Sequence, residues 1–180
     1  MFLRWLHERK GATAIEFSLL AVPFMFSCIA LIELSLFFAS GSLLESAVQD
    51  AARLIKTGQL QQSGGDPEQE FLDAICDRTG MLLDCDSLQY HVVKLDDFND
   101  SSDPGMDSDG NMSPPELFQL NQITAGCVGL VRIVYPYQFL TPLFGRMWSN
   151  YPNNTRLHVS TVVFQTEPYD FEVTDPTCSV

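Results

Sequence analysis

Residues 7–44 read HERKGATAIEFSLLAVPFMFSCIALIELSLFFASGSLL, and they decide the architecture. A basic leader ends at Gly11, and the apolar run that follows carries an early carboxylate, Glu16, and a later one, Glu33. From Phe17 to Leu44 the run exceeds the about 20 apolar residues that an α-helix needs to cross a bilayer. Burying a carboxylate near the start of such a helix costs at least a few kcal/mol. Glu16 therefore implies a specific ionic partner at that depth. Pro23 lacks an amide donor and predicts a bend.

The leader carries Arg4, Arg9 and Lys10 against Glu8, whereas the chain beyond Leu44 opens with Glu45 and Asp50. The positive-inside rule then places the N-terminus in the cytoplasm and the C-terminal domain outside. The expected organisation is a leader over 1–11, a transmembrane helix over 12–44 and an extracytoplasmic globular domain over 45–180. Two rival readings fit less well. A cleaved secretory signal has an apolar core of about 7–15 residues before a small-x-small site. Ala39-Ser40-Gly41 offers such a site, but the run before it is too long and carries two carboxylates. A lipoprotein signal would use Cys28, yet Met25-Phe26-Ser27 lacks the residues usually found before the modified cysteine.

Charge is unevenly placed along the 180 residues, whose net charge is −13. Basic and acidic side chains cancel over residues 1–44, so the outer domain holds the whole excess, with 7 Lys and Arg against 20 Asp and Glu. Phosphate binding needs clustered basic residues, which argues against a nucleic-acid partner. The same balance argues against docking of the domain on anionic lipid headgroups.

Phe37, Gly41, Leu44, Val48, Ala51, Ala52 and Ile55 recur at helical spacing, which predicts an amphipathic continuation of the membrane helix to about Gly58. Gln59–Gly65 reads as a loop. Asp66-Pro67 is a helix start, with Asp as N-cap and Pro at the first helical position. Phe71, Leu72, Ile75, Cys76 and Thr79 then share a face, and Gly80 ends the helix. Residues 88–95, 127–135 and 157–166 read as strands. Asp96–Pro115, loaded with Asp, Ser, Gly, Asn and Pro, is expected to be the least ordered stretch. The segment between Pro136 and Trp148 has room for a short amphipathic helix.

Five cysteines in an exported protein invite a disulfide reading. Cys28 lies in the membrane run. Cys76 and Cys85 fall on a helix and just past its terminator, where a fold-back brings them within bonding reach; two buried free thiols are the alternative. Cys127 and Cys178 are left over, and a bond between them would tether the tail to the sheet. Asp107-Ser108-Asp109-Gly110-Asn111 opens like a calcium loop and then fails, with Met112 where the EF-hand needs Gly and Phe118 where it needs Glu. No metal or cofactor site is therefore expected. His7, His91 and His158 are isolated, and no nucleophile or phosphate-binding motif is present. The sequence does not read as an enzyme.

Gly11-Ala12-Thr13-Ala14-Ile15-Glu16-Phe17, with Pro23 and Glu33 beyond it, resembles the prepilin-type signal of the TadE-like family of the Tad (Flp) pilus system. Ala51-Ala52-Arg53-Leu54 with Thr57-Gly58, and Val163–Tyr169 near the far end, are similar to further stretches of that family. Gln165-Thr166 departs from the Arg-Asn of the closing motif. The resemblance implies an α+β, pilin-like fold with a long N-terminal transmembrane helix packed on a small antiparallel sheet. It implies a minor pilin or pseudopilin of the bacterial inner membrane, its domain periplasmic, acting in pilus biogenesis, adhesion or secretion. It further implies cleavage between Gly11 and Ala12 by a prepilin peptidase, and pairing of Glu16 with the freed Ala12 amine of a neighbouring subunit. The partners so implied are that peptidase, other pilins, Tad inner-membrane assembly proteins and the membrane. A single-pass membrane-anchored binding module is the alternative.

Overall fold

The computed structural model describes residues 12–96, 106–168 and Cys178. Among these residues four α-helices and four strands follow the order α1 (Ala12–Lys56), α2 (Gln59–Gln62), α3 (Pro67–Thr79), β1 (Gln89–Leu95), β2 (Glu116–Phe118), β3 (Val128–Gln138), α4 (Pro142–Trp148) and β4 (Thr155–Gln165). The chain divides into two compact units, Met1–Leu36 and Phe37–Val180.

In the first unit the apolar side chains of α1 face outward on every side, with Phe17 and Leu19 each 73% exposed. α1 is long and apolar enough to cross a membrane. Two of its hydroxyls bond within the helix: Ser18 donates to the Ala14 carbonyl at 2.8 Å and Ser35 to the Leu31 carbonyl at 2.7 Å. Closing these bonds internally suits a stretch with no water to offer partners.

In the second unit the sheet order is β2-β1-β3-β4. β3 pairs antiparallel with both β1 and β4, and strand pairing puts Tyr90 opposite Ile133 and Ile133 opposite Ser160. Side chains alternate along a strand, so Tyr90 and Val92, Val131 and Ile133, and Val162 and Phe164 share one face. Against that face lie Leu44, Ala47, Val48, Ala51, Ala52 and Ile55 of α1, with Phe71 and Ile75 of α3, in a single buried cluster. The predicted amphipathic face is thus the core stripe, and its small residues Ala47, Ala51 and Ala52 allow close approach. Two contacts show that helix and edge strand run the same way. His158 of β4 lies over Gly41, where an added Cβ would come within 3.0 Å of the ring. Fifteen residues further along α1, the Glu167 amide donates to the Lys56 carbonyl at 2.9 Å.

α1 ends where Thr57-Gly58 allows it. Gly58 adopts φ 73°, a left-handed conformation that glycine takes without a Cβ penalty, and the Thr57 hydroxyl donates to the Arg53 carbonyl at 2.9 Å. Asp66 caps α3 by accepting from the Glu68 amide at 3.1 Å. Glu68 in turn accepts from the Tyr90 hydroxyl at 2.6 Å, and burial together with that carboxylate holds the phenol protonated. Arg78 and Asp50, 2.8 Å apart, join α3 to α1 at the surface.

The α+β architecture, with a long N-terminal helix and a small sheet, is as expected, and three local features differ from the sequence reading. The sheet is mixed, because β2 adds in parallel to β1 at the edge. Gln59–Gln62 forms a short helix instead of a loop, since Leu60 turns into the core at 3% exposure. Within Asp96–Pro115, residues 106–112 form an ordered turn. The buried Gln89 side chain donates to Asn111 Oδ1 at 2.9 Å and accepts from the Met112 amide at 2.6 Å, which draws Met112 into the interior. Residues 97–105 lie outside the described residues.

Candidate functional site

The apolar surface of α1 and the residues at its start carry the strongest functional signal. Ala12 is the first helical residue, and Gly11 with the rest of the leader lies outside the described residues. Glu16 follows Ala12 by four positions, which puts the two on one helix face. Its carboxylate is exposed, and the neighbouring Ile15, Phe17, Leu19 and Leu20 present large apolar surface around it. No Lys, Arg or His occurs between Gly11 and Ala52, so this stretch of helix supplies no cation of its own.

The other residues singled out by sequence fall outside this surface. Cys76 and Cys85 stand with Cα atoms 6.0 Å apart and their sulfurs in bonding position. Cys127 and Cys178 do so at 4.7 Å; both spacings lie within the disulfide range. Cys28 is a half-buried thiol on α1. Asp107 does not open toward a cation. Its Oδ1 accepts from the amides of Asp109 at 2.9 Å and Asn111 at 2.8 Å. These bonds, that from Asn111 foremost, hold the carboxyl below its ordinary range. Among the described residues no group of His, Cys, Asp and Glu is placed to hold a metal ion.

The histidines are bonded within the fold. His91 Nε2 lies 2.7 Å from the Pro114 carbonyl. His158 Nε2 lies 3.0 Å from Ser40 Oγ, and the imidazole stacks on Phe37 at 4.4 Å between centroids. Burial, and secondarily the Arg156 charge, push the His158 pKa below its usual value.

Residues 11–53 match the family model described as TadE-like protein. The match covers about a quarter of the chain, and over that segment the chain is similar to a family of pilus-associated proteins. No curated protein and no solved structure matches the chain. The TadE-like segment spans the carboxylate, the exposed apolar helix and the buried Ala51-Ala52 pair, and stops at Arg53. Thr57-Gly58 lies just past it and terminates the helix. The C-terminal stretch that resembles the family's closing motif lies far outside the match, yet it meets the same helix end. Glu167 closes on Lys56 through the amide bond and through a 3.9 Å ion pair. Thr166 donates from its hydroxyl to the Cys127 carbonyl at 3.1 Å, and Gln165 donates to the Gly126 carbonyl at 3.1 Å. Gln165-Thr166, where the motif departs from Arg-Asn, thus make backbone contacts that need no arginine. Sequence reasoning did not anticipate these contacts. A polar pair at the end of a predicted strand, followed by Glu-Pro, was the one signal present.

Proposed function

We propose that the chain is a minor pilin or pseudopilin of a Tad-type pilus, acting in pilus biogenesis, adhesion or secretion. In this reading it is anchored once in the bacterial inner membrane by the exposed apolar part of α1 that ends at Leu36, with the N-terminus cytoplasmic and the domain from Phe37 onward periplasmic. A prepilin peptidase removes residues 1–11 after Gly11. The freed Ala12 amine then pairs with the Glu16 carboxylate of a neighbouring pilin. Other pilins and Tad inner-membrane assembly proteins are the partners, and the two cysteine pairs form disulfides in the oxidising periplasm. No catalytic step and no cofactor enter this role. The observation that carries it is Glu16, an exposed carboxylate in an apolar helix surface without a basic residue of its own. In a low-dielectric setting such a charge is tolerable only when paired.

The test compares the chain produced with and without a prepilin peptidase, alongside Gly11→Val and Glu16→Gln. A mass loss matching residues 1–11, absent in Gly11→Val, supports processing. Unchanged mass in both strains favours the single-pass binding module instead. Glu16→Gln should insert normally and lose co-purification with other pilins. Normal co-purification and piliation of that variant would sink the charge-pairing role.

A further inference from the structure

The two edges of the sheet are finished differently. At one edge β2 is three residues long, follows Pro114-Pro115 and opens on Glu116. Short length, proline and charge are the usual guards against addition of a strand. At the other edge β4 pairs residue for residue with β3 over its whole length, without a bulge. No further strand adjoins it among the described residues. From Leu157 to Gln165 it has no Lys, Arg, Asp, Glu or Pro. A groove of about 300 Å³ lies along this edge, between Gly41, Leu44, Glu45 and Gln49 of α1 and residues 158–162 of β4. Successive side chains of a strand point to opposite faces, so a groove that meets these residues in an unbroken row borders the backbone edge itself. Unpaired amides and carbonyls along such an edge are a template for an extended chain.

We propose that this groove receives an extended segment of a different protein, which joins the sheet as a further strand beside β4. Charge selects the segment. Glu45 is exposed on the helical wall and makes no ion pair among the described residues. Arg156, the sole Lys or Arg of β4, is engaged elsewhere: its guanidinium lies 5.9 Å above Trp148 and donates to the Trp148 carbonyl at 3.2 Å. Trp148 ends a series of rings, Phe37, Phe139, Phe144 and Trp148, with centroids 5.4, 5.6 and 5.3 Å apart. A second copy of the chain brings the wrong charge. Two β4 strands paired antiparallel about Ser160 would carry both Glu45 carboxylates to the joint. The β2 edge of another copy would add Glu116, which lies across from Tyr90 and so on the helix-facing side. The segment that fits places Lys or Arg toward α1, and β-branched residues on the opposite side, beside half-exposed Val159. The groove lies within the unit Phe37–Val180 and does not depend on the membrane anchoring.

The probe is a short peptide in which Lys and Val alternate, added to the full-length chain in uncharged detergent. Hydrogen exchange should show protection of the outward amides among residues 158–162 when it is present. The same peptide with every backbone nitrogen methylated keeps its charge but loses its donors, and should give no protection. Glu45→Gln should weaken binding by up to about fivefold. Glu45→Lys should transfer the preference to a peptide in which Glu and Val alternate. Glu45 is exposed, so both variants should unfold at the temperature of the parent chain. Absence of protection, or equal protection by the methylated peptide, overturns strand addition. An unmoved preference in Glu45→Lys overturns the selection by charge. Protection that needs no peptide and rises with protein concentration overturns the hetero-partner in favour of a second copy of the chain.

Discussion

The two halves of α1 are one continuous helix with different relations to what surrounds them. Over residues 13–36 most apolar side chains remain exposed, the Ser18 and Ser35 hydroxyls bond to the helix's own carbonyls, and Glu33 is buried. Over residues 37–56 one apolar stripe is buried against the sheet, while Glu45, Gln49, Arg53 and Lys56, with Phe38 and Leu43, take the outer side. A helix apolar all round requires an apolar solvent or a second apolar surface; a striped one supplies half of its own core. Stability of the domain should therefore depend on the second half of α1 and be indifferent to the first.

The sharpest way to break this comparison is to truncate one large apolar side chain in each half, buried Ile55 and exposed Leu20. Ile55→Ala should destabilise the detergent-solubilised domain by about 2–5 kcal/mol, because Ile55 is fully buried. Leu20→Ala should leave the same thermal unfolding curve unmoved. Equal losses from the two variants would show that the halves are not energetically distinct.

A smaller effect is expected from the proposed Cys76–Cys85 bond. Cys76→Ser with Cys85→Ser should cost roughly 2–3 kcal/mol for a loop of this length, loosening α3 before the sheet. Hydrogen exchange over residues 67–88 measures this. Peptide mapping that finds both thiols free in protein isolated from an oxidising compartment would remove the bond from the account.

At the boundary between the halves, Gly41→Val should cost about 1–3 kcal/mol through overpacking, because the added side chain meets the His158 ring. A normal melting temperature would mean that helix and strand have room to part there.

The smallest effect concerns pH. The folded-state pKa of His158 is depressed by burial and by Arg156. As pH falls, the unfolded chain therefore takes up the proton first. The stability contributed by the neutral ring is full above the ordinary value of about 6.5, and it declines as pH drops through 6.5 toward the lower folded value. His158→Gln should flatten this part of the stability profile, read from denaturant unfolding between pH 5 and 7.5.

The sequence made the long-range plan legible where periodicity or composition carried it. Three strands, the stripe on α1 and the Asp66-capped α3 were each encoded in local pattern. β2 was not, because a three-residue strand that pairs in parallel offers no alternation to detect. The Gln89 clasp was not either, since an interior glutamine in a strand gives no sign of which loop it will satisfy. At the candidate site, Glu16 stood out because its cost is set by local surroundings. The ring stack from Phe37 to Trp148 stayed hidden, because it joins residues more than a hundred positions apart and depends on β3 and β4 being already paired.

The closure between Glu167 and Lys56 has a mechanical consequence. α1 and β4 run in the same direction and are fastened at both ends, at Gly41 with His158 and at Lys56 with Glu167. A tensile load applied to the N-terminal end of the helix is therefore passed to β4 along the strand axis. The backbone bonds between β3 and β4 stand across that axis, so they are loaded together in shear rather than opened one at a time. The domain would thus resist as a block, while Pro23 leaves one backbone bond missing in the helix that carries the load.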